Sequence, residues 1–278
     1  MSKSKINISR SPLVMGILNV TPDSFSDGGH YCSAKDALTH AAAMIDAGAD
    51  LIDVGGESTR PGAASVSVNE ELRRVIPIID QIVHRFDGVV SIDTSKPEVM
   101  SAAVAAGASM INDVYALRNE GAIDAAAELD CPVCLMHMQG EPRTMQSSPN
   151  YDRLPQEILE FLTRRIDACV AGGVRRAQIM IDPGFGFGKL DIHNLEILAK
   201  LEQFSEFDSP LLVGLSRKRT LGNLTGRSVT EREAAGIAAA IVAVQKGANI
   251  VRTHDVGPTV DALAVLRATN QFEDKIND

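Results

Sequence analysis

Cysteine is scarce: Cys32, Cys131, Cys134 and Cys169 are the only four in 278 residues. That is too few to staple a chain of this length, so they read as reduced thiols and the chain as cytoplasmic. No apolar run approaches the roughly 20 residues that span a bilayer. Met1 to Arg10 is polar and basic with no apolar stretch, so no secretory signal is expected there. Positive charge is also short: 27 Lys and Arg against 36 Asp and Glu leave a net charge of −9. That balance argues against nucleic acid or an anionic membrane as partner, and any anionic ligand must be held by a local cationic cluster. No Pro/Gly/Ser linker divides the chain, so one domain is expected over 1–278, with 1–11 as an N-terminal extension and 270–278 as a polar tail. Cys131-Pro-Val-Cys134 has the spacing of a redox or zinc motif, but no second pair exists. Cys134 also lies in the apolar run Val133–Met136, where a small buried thiol is commonplace.

What is present is a rhythm. Short apolar runs occur at Leu13–Leu18, Leu51–Val54, Val89–Ile92, Met110–Ile111, Val133–Met136, Gln178–Ile181, Leu211–Val213 and Ile250–Val251. Between and after them lie segments of helical periodicity: Ser33–Ala47, Asn69–Arg85, Lys96–Ala106, Ile123–Leu129, Leu154–Ala171, Asn194–Phe204, Thr230–Lys246 and Thr259–Thr269. Continuous apolar strands alternating with amphipathic helices indicate a parallel sheet covered by helices. Several helices end in a Gly turn, at Gly48, Gly107, Gly172-Gly173 and Gly247, as suits a left-handed closing residue. Eight such units predict a single (β/α)8 TIM barrel, with long loops after strands 1 and 2.

Polar residues gather at the strand ends: Asn19, Asp53, Asp93, Asn112 and Asp113, His137, Asp182, Ser216 to Lys218, and Arg252 with His254. In a barrel these positions converge on the C-terminal rim, where active sites of this fold sit. The first loop, Asn19 to Gly29, is long for a βα connection and carries Phe25 in its middle, which suits a binding loop. The second, Gly55-Gly-Glu-Ser-Thr-Arg-Pro-Gly62, offers hydroxyls and a guanidinium for anion contact. Asp182-Pro-Gly-Phe-Gly-Phe-Gly-Lys189 lacks Walker A spacing, and Leu190 stands where Ser or Thr would be needed. An Asp at a strand end with two Phe rings nearby instead suits a flat heterocycle whose amino-amidine edge pairs with the carboxylate. Ser216-Arg-Lys218 and Arg252-Thr-His254, after strands seven and eight, occupy the place where barrels often bind phosphate.

These residues resemble the dihydropteroate synthase family. Met15 to Gly29 looks like its first signature and Ile52 to Gly62 like its second. The likeness continues through Ile92-Asp-Thr-Ser-Lys-Pro97, Ile111-Asn-Asp113, Leu135-Met-His-Met138, Asp182 to Lys189, Ser216-Arg-Lys218 and Arg252-Thr-His-Asp255. It runs from about Pro12 to Thr269. The resemblance implies that Asp93, Asn112 and Asp182 hold a pterin, with Lys218 reaching the ring and Met136 and Phe187 lining it. Asn19, Arg252 and His254 would receive a diphosphate, with Mg²⁺ touching Asn19. Thr59, Arg60 and Pro61, with Ser216, Lys218 and Phe187, would form the 4-aminobenzoate site, and Phe25 would close over it. It further implies a homodimer and sulfonamides as competitive ligands. The family often has Ser after Ser-Arg-Lys, whereas here Arg219 follows; Leu190-Asp191 also departs from the usual residues and reads as loop drift.

The implied reaction belongs to folate biosynthesis: a dihydropterin carrying a methyl diphosphate is transferred to the arylamine, releasing diphosphate. An electron-rich ring can push charge toward the exocyclic carbon, giving an SN1-like departure. Mg²⁺, Arg252 and His254 would stabilise the leaving group. Asp93 and Asp182 would offset the ring cation, and Asp93, Asp182, Lys218 and Arg252 are the expected catalytic residues. No triad or protein nucleophile is needed. Two alternatives share the pterin pocket. A folate-dependent methyltransferase barrel should lack the first-loop signature and Ser-Arg-Lys, both present here. A non-catalytic pterin-binding protein should show damaged diphosphate residues, which are intact.

Overall fold

The computed structural model describes residues 6–8, 12–21, 34–60 and 62–277. Phe25, Pro61, Cys32 and most of the first long loop lie outside them. Eight parallel strands follow one another: β1 (Leu13–Asn19), β2 (Leu51–Gly55), β3 (Val90–Asp93), β4 (Met110–Asp113), β5 (Val133–Met136), β6 (Ile179–Asp182), β7 (Leu212–Val213) and β8 (Ile250–Thr253). Each of β1 to β5 pairs with the next, β8 joins β1 on one side and β7 on the other, and a single Ile181–Leu211 bridge links β6 to β7. The result is a nearly closed TIM barrel, as expected.

The helices α1 (Ala34–Asp46), α2 (Val68–Phe86), α3 (Pro97–Ala105), α4 (Ala122–Leu129), α5 (Gln156–Ala171), α6 (Asp191–Ala199), α7 (Arg219–Thr225), α8 (Glu233–Gln245) and α9 (Val256–Asn277) wrap the outside. Three boundaries differ from the sequence reading. The stretch expected to be helical over 194–204 splits into α6 and a 3-10 segment, Leu201–Phe207. A short helix, α7, was not foreseen; its seven residues show no amphipathic period long enough to register. The segment 270–278, expected as a polar tail, continues α9 as far as Asn277.

The two faces of the strands separate two cores, because side chains alternate along a strand. Outward residues such as Val14, Leu18, Ile52, Val54, Ile92, Ile111, Leu135, Ile181 and Val251 join the helices in one large core. Inward residues Leu13, Met15, Leu51, Met110, Cys134, Met180, Leu212 and Ile250 fill the barrel as an apolar floor. Cys134 is therefore packing material: burial pushes its thiol pKa well up, and no metal-type cluster of His, Cys, Asp or Glu forms among the described residues. Ile6 and Ile8, from the extension 1–11, pack beneath this floor. A segment that reads as polar and basic thus supplies a plug. Gly107, at φ +112° after α3, leaves no room for a Cβ, which would stand 2.9 Å from Val83; the predicted left-handed closure holds there.

No helix among the described residues is long and apolar enough to cross a membrane.

Candidate active site

Above the apolar floor the inward positions turn polar. Register places Asn19 opposite Gly55, Gly55 opposite Asp93 and Asp93 opposite Asn112. Gly55 leaves the space between its neighbours open: a Cβ there would lie 3.5 Å from Asp93 Cβ and 3.6 Å from Asn19 Oδ1. One layer deeper sits Asp53, fully buried on β2. Its Oδ2 accepts from Asn112 Nδ2 at 3.0 Å and from Arg252 Nε at 2.6 Å. Arg252 Nη2 continues to Asp93 Oδ2 at 2.9 Å. One guanidinium from β8 therefore spans the mouth to carboxylates on β2 and β3.

The electrostatics follow from that crowding. Burial, then the charge of Asp53, push the Asp93 pKa up to about 7, while Arg252 pulls against them. Burial alone would lower the Arg252 pKa, but Asp53 and Asp93 more than reverse it, and the guanidinium stays charged. Across the mouth, Asp182 ends β6 and accepts from Gly184 N at 2.7 Å. Burial raises its pKa to about 6 despite that bond and the nearby Lys218. Burial and Arg252 lower the Lys218 pKa to about 8, opposed by Asp182 and Asp93. Its ammonium lies 4.3 Å from the centre of the Phe187 ring, a cation–π contact.

The loop after β6 is held by a feature the sequence did not disclose. Lys189 is 1% exposed and donates to His137 Nδ1 at 2.8 Å, Gly184 O at 2.9 Å and Phe187 O at 3.0 Å. Burial pushes the pKa of both Lys189 and His137 well down. His137, though it follows a strand, faces this staple. The chain reaches the staple by turning at Gly184, φ +70°, where a Cβ would sit 1.9 Å from His137 O. Of the two Phe rings, only Phe187 reaches the mouth, beside Met136, Met138 and Val114; Phe185 belongs to the outer core.

After β7 and β8, Ser216 Oγ lies 3.0 Å from His254 Nδ1 and accepts from His254 N at 3.1 Å. The Ser216 hydroxyl also lies 3.5 Å from Asp255 Oδ2, and this contact set fixes the orientation of the imidazole. Burial, Arg252 and Arg217 hold the His254 pKa down at about 3. His254 is thus neutral, and the cationic cluster reduces to Arg252 and Lys218 near it, because Arg217 is paired with Asp255 at 2.5 Å. Thr59 and Arg60 stand on the second loop; Arg60 is exposed, its backbone N reaching Ser58 Oγ at 3.4 Å and its carbonyl accepting from Ala63 N at 3.1 Å. Phe25 and Pro61 lie outside the described residues. Arg219 is exposed and opens α7. Asp191 is no loop drift: its carboxylate accepts from Thr220 Oγ1 at 2.7 Å and Asn223 Nδ2 at 2.6 Å, tying α6 to α7.

The residue that sequence reasoning undervalued is Asp53. It was visible as a strand-end Asp, but only register shows that it lies one layer below Asp93 and holds Asn112 and Arg252 together. A separate cavity of about 510 Å³ opens beyond β5, lined by Arg118, Tyr151, Arg153, Glu157 and Glu160 among others. Its charges largely satisfy one another: Arg153 pairs with Glu160 at 3.0 Å, and Glu157 accepts from two backbone N–H groups.

A polar barrel mouth of two raised carboxylates, an amide, a buried ammonium and an aromatic ring defines a site for a flat, donor-rich heterocycle. Residues 15–254 match the pterin binding enzyme family. Dihydropteroate synthase of Escherichia coli (strain K12) is 53% identical over 258 residues, covering 93% of this chain and 92% of the relative. The Yersinia pestis dihydropteroate synthase in a sulfonamide drug complex superposes with a TM-score of 0.92 at 50% identity, covering 95% of this chain and 96% of that one. The Xanthomonas albilineans dihydropteroate synthase with 4-aminobenzoic acid gives 0.89 at 52% identity, covering 94% of each. The chain belongs to the pterin-binding enzymes and, within them, to the dihydropteroate synthase family.

The raised Asp182 pKa carries a stability consequence. An unfolded Asp titrates near ~4, so a folded value of about 6 means the folded protein prefers the protonated form. The residue costs least below the unfolded pKa, and its cost grows as pH rises through about 6. Asp182→Asn should therefore raise Tm at pH 7.5, by on the order of 1–3 kcal/mol of stability, with the gain shrinking toward pH 4. An unchanged or lower Tm at pH 7.5 would contradict this.

Proposed function

We propose that this mouth joins a 7,8-dihydropterin methyl diphosphate to 4-aminobenzoate, forming 7,8-dihydropteroate and diphosphate. The observation that carries the reading is the convergence of Asp93, Asn112 and Asp182 at inward strand ends, with Lys218 against the Phe187 ring and Met136 beside it. Asp182, as a carboxylate, accepts from the amino-amidine edge of the pterin. Asn112, its amide fixed by Asp53 at 3.0 Å, and Asp93 complete the ring contacts, and Lys218 donates to a ring acceptor. The leaving diphosphate is received by Arg252 and by the imidazole of His254. Those groups are already in place and need little reorganisation as negative charge develops. As the carbon–oxygen bond breaks, positive charge spreads into the pterin, where Asp93 and Asp182 offset it. The arylamine nitrogen then attacks that carbon and releases its proton to water or to a mouth carboxylate. Thr59, Arg60 and Ser216, with Phe187 and Lys218, form the aminobenzoate side, and sulfonamides compete there.

Mg²⁺ fits the donors present. Asn19 Oδ1 is a hard oxygen at the rim near Asp93, and Mg²⁺ on a diphosphate typically takes only one or two protein oxygens. Asn19 would hold it, and the ion would neutralise diphosphate charge. The thiols of Cys134 and Cys169 are buried and outside any disulfide among the described residues, which supports a reducing, cytoplasmic setting.

A product assay decides the function. Wild type with both substrates and Mg²⁺ should release dihydropteroate and diphosphate in equal amounts. Asp182→Ala and Lys218→Ala should each lower kcat/KM by roughly a hundredfold or more. Product formation untouched by either change would sink the site assignment. No product, with pterin binding intact by calorimetry, would move the chain to the non-catalytic class.

The homodimer reading is supported by exposed apolar side chains around α7 and α8: Leu224 is 57%, Val229 53% and Val242 38% exposed. Sedimentation at micromolar concentration should give twice the chain mass, and Val242→Glu should shift it toward the monomer. A wild-type monomer would end the proposal.

A further inference from the structure

The second loop joins Gly55 to Val68 and displays Thr59 and Arg60 between its two ends. Glu57, near its start, uses both carboxylate oxygens. Oε1 accepts from Val66 N at 2.8 Å, across nine residues, and Oε2 accepts from Lys96 Nζ at 2.5 Å. Lys96 lies three residues beyond Asp93, at the N-terminus of α3. Its ammonium also bonds Glu71, which is fully buried in the first turns of α2. Gly56 O accepts from Arg74 Nη1 at 2.8 Å, and a Cβ at Gly56 would collide with Val75 and Glu71 at 2.7 and 2.9 Å. Both ends of the loop are thus fixed, while the bonds shown by the described residues between them are local, Arg60 N to Ser58 Oγ and Ala63 N to Arg60 O.

The chemistry of the junction favours a fixed latch. Burial works against the Lys96 charge, but the two carboxylates more than compensate and raise its pKa above the usual lysine value. The ammonium is charged throughout the working pH range. Glu71 is buried with Oε1 unpartnered, so removing Lys96 would leave a carboxylate in the wall with no compensating charge. Lys96 is therefore held by structure on one side and holds the loop on the other.

We infer that Glu57 and Lys96 are positioning residues for the arylamine subsite: their ion pair ties the loop bearing Thr59 and Arg60 to the strand bearing Asp93, setting one substrate's contacts against the other's. The inference rests on the proposed function for what the loop binds, and on the coordinates alone for the latch. It accounts for Lys96, whose ammonium bonds Glu57 and Glu71, and for the acidic residue within a loop otherwise suited to anions. Its signature is a split between substrates. A loop set loose should weaken the arylamine's placement and leave the pterin pocket, built on β3, β4 and β6, as it is.

The test compares wild type, Glu57→Gln, Lys96→Met and Lys96→Arg by steady-state kinetics and by hydrogen exchange over residues 56–67. Glu57→Gln keeps an acceptor for Val66 N and leaves Lys96 with Glu71, so it should fold even if Lys96→Met does not. Glu57→Gln should lower kcat/KM for 4-aminobenzoate by roughly 10–100-fold, as displacement of a positioning group does. Its KM for the pterin diphosphate should stay within about twofold, with faster exchange at 58–66. Lys96→Met should show the same loss, and Lys96→Arg should retain most of the wild-type kcat/KM for 4-aminobenzoate. Equal effects on both substrates, or a lowered Tm with both KM values unchanged, would overturn the inference. If wild type makes no dihydropteroate, the functional reading fails, and unchanged exchange in Glu57→Gln separately overturns the latch.

Discussion

The mouth depends on one guanidinium. Arg252 reaches from β8 to Asp53 on β2 and Asp93 on β3, at 2.6 and 2.9 Å. Two carboxylates this close, with little solvent, repel one another and each carries a desolvation cost. Arg252 makes their coexistence tolerable. It also leaves Asp93 near its balance point, with a pKa about 7. Removing one partner from such an arrangement typically costs about 3–5 kcal/mol, because an unpaired buried charge remains. The network is thus both a constraint on stability and a store of oriented charge for the reaction.

Rigid support explains how that charge is kept in place. Below it, Met15, Leu51, Met110, Cys134, Met180, Leu212 and Ile250 form a floor with almost no access to solvent, so the polar layer cannot sink. Beside it, the Lys189 staple fixes the loop that carries Asp182 and Phe187, by donating to the carbonyls of Gly184 and Phe187. Opposite, Glu57 and Lys96 brace the second loop. Groups that must meet substrate are therefore mounted on strands or on loops tied to strands, which is how positional precision reaches a barrel rim.

Much of this was legible in the chain, for physical reasons. Parallel strands buried on both sides must be apolar throughout, so the eight runs stand out. Strand ends must face the rim, so Asn19, Asp93, Asn112, Asp182, Lys218, Arg252 and His254 could be assigned to it without coordinates. What was not legible depends on register and on long-range pairing. Asp53 looks like any strand-end carboxylate until Gly55 is set against Asp93. Lys189 reads as a loop lysine, because nothing local says that its ammonium is buried on His137. Nor does the local sequence show the neutrality of His254, which comes from burial and from Arg252 and Arg217. The N-terminal plug of Ile6 and Ile8 is two apolar residues in a polar segment, too few to carry a period.

The most direct test of the charge network is a ¹³C carboxyl NMR titration of wild type and Arg252→Met. The account predicts that Asp93 titrates with a midpoint near 7 and Asp182 near 6 in wild type. In Arg252→Met the Asp93 midpoint should move further up by about one unit or more, since the opposing charge is gone. Asp93 and Asp182 both titrating near ~4, or an Asp93 midpoint indifferent to Arg252, would contradict the account.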